Sequence, residues 1–105
     1  MITRMWRGWT TPSNADACET LLRETILPGI AARGIDGYQG AHLLRRHDGE
    51  EMEFVTMLWF DSIEAVRAFA GNDHSVAVVP DAARRLLTRF DERSQHYETR
   101  IEPGS

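Results

Sequence analysis

The stretch EMEFVTMLWFDSIEAVRAFAG, residues 51–71, decides how the rest of the chain is arranged. From Met52 to Phe60 it is rich in aromatic and β-favouring side chains and nearly without polar alternation after Glu53, which predicts a strand covered on both faces. Asp61-Ser62 then supplies N-cap oxygens, and Glu64 falls in the first turn, where a negative charge suits the positive end of the helix dipole. Ile63, Val66, Phe69 and Ala70 recur at spacings of three and four, one apolar stripe closed by the C-cap candidate Gly71. A sheet of this size has helices for only one face. A two-sided apolar strand therefore demands a second sheet, a bound ligand or a partner subunit against its other face.

At 105 residues the chain is expected to be a single domain over residues 1–102, with 103–105 as a flexible tail. Its 42% hydrophobic and 27% charged residues are ordinary for a globular protein. The net charge of -4 gives no reason to expect nucleic acid or an anionic membrane as partner. Cys18 is the single cysteine, so there is no intramolecular disulfide and no Cys-based zinc site within one chain, and the default compartment is cytoplasmic. No apolar run approaches the ~20 residues that span a bilayer.

Ile2 to Thr10 alternates Ile2, Arg4, Trp6 and Gly8 with Thr3, Met5, Arg7 and Trp9, the pattern of a first strand. Thr11-Pro12-Ser13 starts a helix whose buried stripe is read as Cys18, Leu21, Leu22, Thr25 and Ile26, with a bend or stop at Pro28. Gly37 to His47 reads as strand two, and Asp48-Gly49 as a two-residue hairpin turn that makes strands two and three antiparallel neighbours. The run Val76-Ala-Val-Val79 has no decisive period. Asp81 to Phe90 looks helical, through Ala83, Leu86, Leu87 and Phe90, and Ser94 to Glu102 alternates as an edge strand. The order β-α-β-β-α-β, with an extra helical piece before the last strand, predicts an α+β, ferredoxin-like split βαβ fold: an antiparallel sheet with helices on one face.

That order, with the Leu58-Trp59-Phe60-Asp61-Ser62 joint, the RMWRG first strand, the Phe69-Ala-Gly71 helix end and the closing His96-Tyr97-Glu98, resembles the antibiotic biosynthesis monooxygenase family over almost the whole chain. The resemblance implies a homodimer, two ferredoxin-like subunits paired through their sheets as a dimeric α+β barrel. It also implies oxidation of a small aromatic molecule by molecular oxygen with no metal or flavin, the substrate anion itself reacting. The haem-degrading branch fits less well, because Ile2 to Thr10 contains no Asn and Phe69 lies where that branch has an indole. Val55 stands four before the joint tryptophan, where the phenol-oxidising branch has an asparagine.

Candidate site residues follow from both readings. Trp6 shares its strand face with Arg4, an aromatic wall with a cation beside it. Trp59 and Phe69 join them through the resemblance, which puts the joint tryptophan near a cavity; core packing also accounts for indoles in so small a chain. His74 and His96 are the proton-transfer candidates, against the plainer reading of both as surface or capping residues. No metal site is expected, since His42 and His47 are five apart on a strand and point to opposite faces. No cofactor motif is present. The leading expectation is a cofactor-independent monooxygenase acting on an aromatic or quinone-type molecule. The alternatives are a non-catalytic dimeric binding module, or an isomerase or cyclase on the same scaffold.

Overall fold

The computed structural model describes residues 1–104; Ser105, part of the expected tail, lies outside the described residues. Strand β1 (Ile2–Thr10) is the centre of a five-stranded antiparallel sheet. One side of it carries β3 (Glu51–Phe60) and then β2 (Tyr38–Asp48). The other side is shared end to end by two short strands, β4 (Leu87–Phe90) and β5 (Gln95–Glu98). Helices α1 (Ala15–Leu21), α2 (Leu27–Ala32), α3 (Ile63–Ala70) and α4 (Asp81–Leu86) complete the chain. This is the α+β, ferredoxin-like arrangement, with the last strand split in two along β1.

The phase of β3 follows from what each alternate residue meets. Phe54 and Phe60 are fully buried and Leu58 nearly so, packed with Val66 and Phe69 of α3 or with Cys18 of α1 and the Leu22 that follows it. Val55, Met57 and Trp59 therefore project from the other, helix-free face, where they stay half-buried. Ser62 Oγ accepts from the Ala65 amide and caps α3 as expected, and Gly71 ends it at φ 95°.

Three expectations need correction. The β2–β3 loop is Gly49-Glu50, with Asp48 paired to Glu51, one residue later than Asp48-Gly49; Gly49 at φ 62° takes the first loop position that no branched residue occupies cheaply. The helix expected over 81–90 ends at Leu86. Leu87 to Phe90 instead pairs with Gly8 to Thr10, and the Thr10 hydroxyl donates to the Leu86 carbonyl at 2.6 Å, so a tertiary ladder overrides a helical spacing. Pro28 neither stops nor bends the first helix alone. A π turn over Leu22–Ile26 joins α1 to α2 and leaves Pro28 near the start of α2, where its missing donor costs least. The wider turn advances the phase, so Thr25, expected in the stripe, is exposed while Ile26, Leu27 and Ile30 turn inward.

Residues 71–80 form an irregular strap. It is fastened to the β4–β5 connection by a Val76–Arg93 bridge, by Ala77 N–H donating to the Glu92 carbonyl at 2.9 Å, and by the Arg93–Asp73 ion pair at 3.3 Å. The run Val76 to Val79, undecided by period, is thus neither helix nor regular strand. No helix among the described residues is long and apolar enough to cross a membrane.

Candidate functional site

The helix-facing row of the central strands is Arg4 and Trp6 on β1 beside Leu58 and Thr56 on β3. Between this row and the helices runs a narrow cavity. Its floor is those four residues; Leu22 and Ile26 of the π turn, Leu27 and Ile30 of α2 and Phe69 of α3 form one wall; Val78, Val79 and Pro80 of the strap, with Ser94, form the other. About 40 Å³ is open to the centres of water-sized molecules, within about 450 Å³ of empty space that includes the mouth. That is room for a few waters, in an otherwise apolar slot that widens only if the strap yields.

Gly8 sets the position of Trp6. A Cβ there would lie 2.5 Å from the indole and 3.1 Å from a Leu87 methyl, so the absence of a side chain is what lets the ring lie along β1. Trp6 Nε1 donates to the Asp91 carbonyl at 3.0 Å, which ties the indole to the end of β4.

Arg4 is 2% exposed. Its Nη1 donates to the His74 carbonyl and, at 3.0 Å, to His96 Nε2; Nη2 donates to the Val76 carbonyl at 3.0 Å. The guanidinium lies over the Phe69 ring at 5.3 Å, and Arg33 reaches the same ring at 5.2 Å. No carboxylate of the described residues pairs with Arg4. Burial alone lowers its pKa to about 10, so it remains a cation at neutral pH.

His96 stands on β5 opposite Arg4, its ring 5.0 Å from that of His74. Loss of solvation, with Arg4 and His74 adding to it, pushes the imidazole pKa down to about 4. The neutral ring follows from the geometry too: Nε2 receives an Arg4 proton, which assigns the ring hydrogen to Nδ1. Its basic lone pair is therefore occupied. The unfolded chain takes up a proton near pH 6.5, the folded one only near 4. The neutral-ring contribution to stability is present above pH 6.5 and is lost as pH falls from 6.5 towards 4. An NMR titration of the His96 imidazole together with urea melts at pH 7 and pH 5 checks this; a His96 midpoint near 6.5 contradicts it.

The candidates from sequence thus divide. Arg4, Trp6 and Phe69 meet in one cavity. His74 and His96 stand behind Arg4 and do not line that cavity. Trp59 is on the opposite sheet face, packed edge-on against His42 at 4.5 Å, because Leu58 and Phe60 on either side of it face the helices. Thr56, Ser94 and the strap valines were not singled out from sequence. Only Thr56 carried a signal, a hydroxyl in an apolar inward row; Ser94 and the strap arrive through contacts more than seventy residues from β1. Among the described residues no group of three or more His, Cys, Asp or Glu is placed to hold a metal ion.

No protein-family model matches the chain, and no curated protein matches it significantly. Solved structures do match its fold over nearly the whole length. One from Bacillus cereus, named as an antibiotic biosynthesis monooxygenase, superposes with TM-score 0.66 at 14% identity, covering 99% of this chain and 97% of that one. SnoaB, a cofactor-independent oxygenase from Streptomyces nogalater, gives 0.58 at 18% identity, covering 99% and 97%. The heme-degrader MhuD from Mycobacterium tuberculosis, with two hemes in its active site, gives 0.57 at 23% identity, covering 99% and 100%. The chain shares the fold of these three structures. Its residues do not fit a haem in the Arg4 cavity: neither His74 nor His96 lines it, His96 Nε2 is engaged by Arg4, and the slot is far narrower than a porphyrin.

Proposed function

We propose that the protein is a monooxygenase-type enzyme without metal or flavin, acting with molecular oxygen on a small aromatic or quinone-type molecule in the Arg4–Trp6–Phe69 cavity. The single observation that carries this reading is a narrow apolar slot with one buried, carboxylate-free cation on its wall, within a fold shared with a cofactor-independent oxygenase. Apolar walls orient a planar ring and exclude water, and the Arg4 charge favours the anionic form of a ligand that reaches it. An anthrone-type substrate supplies all four electrons that dioxygen takes up: its ring CH2 becomes C=O, and the second oxygen atom leaves as water. His74 and His96 act through Arg4 in this reading, holding the guanidinium in place, and are positioning residues.

A second reading, a non-catalytic binding module, is favoured by one observation: the His96 lone pair is occupied by Arg4 and the His74 ring does not line the cavity, so neither histidine is placed there as a base. Oxygen uptake with a panel of hydroquinones and anthrones separates the two. Uptake above the buffer rate with at least one compound is expected. No uptake with any, beside tryptophan quenching by the same compounds, removes the enzyme and leaves the binding module.

A further inference from the structure

A buried charge in a folded chain is normally met by an opposite charge. Arg4 is met by two backbone carbonyls and a neutral imidazole. The guanidinium has five N–H groups. The three hydrogen bonds use both on Nη1 and one on Nη2, which leaves one on Nη2 and the one on Nε. Arg4 is also the one charged side chain lining the cavity, whose remaining wall is apolar but for Thr56 and Ser94. One cation with two unused donors is complementary to one negative charge shared over two oxygens in a plane. A phosphate dianion would leave a charge unmatched, and a phenolate would offer a single oxygen to two donors.

We propose that the ligand of this cavity is a small aromatic molecule bearing a carboxylate, whose oxygens take the two unused N–H groups of Arg4 while its ring lies between Trp6, Leu58 and Phe69. The proposal rests on the reading of this cavity as the ligand site and adds the chemical class that enters it. Arg4 then does two things at once. It fastens the strap through the His74 and Val76 carbonyls, and it lines the slot that the strap covers, so a carboxylate admitted as the strap yields supplies the missing counter-charge.

Single-ring probes suit a slot this narrow. Benzoate, benzamide and phenol are titrated into the full chain at pH 7, with the Trp6 indole N–H followed by NMR. Benzoate is expected to bind about tenfold or more tighter than benzamide, its neutral isostere, the difference one charge-assisted hydrogen-bonded contact makes. Arg4→Gln is expected to abolish that preference. Arg33→Gln, which removes the exposed cation on the same Phe69 ring, is expected to keep it. Should Arg4→Gln fail to fold, the benzoate-to-benzamide ratio of the unaltered chain still decides. Benzamide or phenol binding as tightly as benzoate overturns the proposal, and so does a benzoate preference that follows Arg33 rather than Arg4. No binding by any of the three overturns it together with the cavity reading. Oxygen uptake reports on the oxygenase separately: uptake by neutral hydroquinones without a benzoate preference removes the carboxylate and leaves the oxygenase, whereas a clear benzoate preference without uptake supports the carboxylate site and removes the oxygenase.

Discussion

Phe60→Ala is expected to destabilise the protein by about 3–5 kcal/mol, the range for emptying a fully buried aromatic site. Phe60 is 0% exposed at the end of β3. Its ring meets Tyr38 edge-on at 5.6 Å and Phe69 at 5.7 Å, and Leu58, Ala65 and Val66 close the cluster. The residues around it are held by the sheet on one side and by α3 on the other, so the hole has little means of collapsing. Against a total of roughly 5–15 kcal/mol for a domain of this size, that loss is a large fraction, and at about 4–8 °C per kcal/mol the melting midpoint should drop by some tens of degrees. Val55→Ala on the same strand is the control. Val55 is half-buried on the helix-free face, so a monomer should lose about 1 kcal/mol or less there. Urea melts of both variants, made in dilute protein, test the assignment of faces: equal losses would mean that the two rows of β3 are equally packed, and that the Phe54–Leu58–Phe60 row is not the single inward one.

That phase is where reading from sequence stops for physical reasons. The alternation in Ile2 to Thr10 and the cap at Ser62 are local, and both appear in the structure where the residues put them. A strand apolar on both faces has no such marker. Trp59 and Phe60 look equally fit for the interior, and only the packing of α3 on the Phe54–Leu58–Phe60 row decides which goes in. The segment from Leu87 fails for a related reason. Ala83, Leu86, Leu87 and Phe90 keep helical spacing, yet Gly8 to Thr10 offers an unpaired strand edge that is worth more to Leu87–Phe90 than another helical turn. The π turn at Leu22–Ile26 has no sequence signature beyond the nearby Pro28, although it is what turns Ile26 and Leu27 towards the cavity. Arg4 was readable as a cation beside an aromatic wall. Its role as the fastening of the strap was not, since the carbonyls it holds lie 70 and 72 residues away.

Sedimentation equilibrium at micromolar concentration is expected to give twice the chain's 11.9 kDa. The helix-free face of the sheet supplies the argument. Met5, Val55, Met57 and Trp59 form its middle, and Leu44 and Tyr97, 45% and 50% exposed, extend it to either side. Among the described residues no helix covers this row, and a contiguous apolar row on an open sheet face is the kind of surface that marks a contact with another protein. Arg7, which stands opposite Val55 and pairs with Asp91 at 3.0 Å, and the Arg46–Glu53 pair at 2.7 Å close off one end of this apolar row. A two-fold axis through the sheet would let the patch cover itself, at an ordinary ~800 Å² on each partner. Val55→Arg places a cation beside Arg7 and, across such an axis, opposite its own copy, so it should halve the measured mass while the thermal melt of the monomer survives. Trp59→Ala should weaken association in the same direction and leave ligand binding in the Arg4 cavity unchanged, because its ring packs on His42 at the far side of the sheet. A mass of one chain that persists as the unaltered protein is concentrated would rule out pairing through this face, and with it a partner subunit as the reason for a strand apolar on both sides.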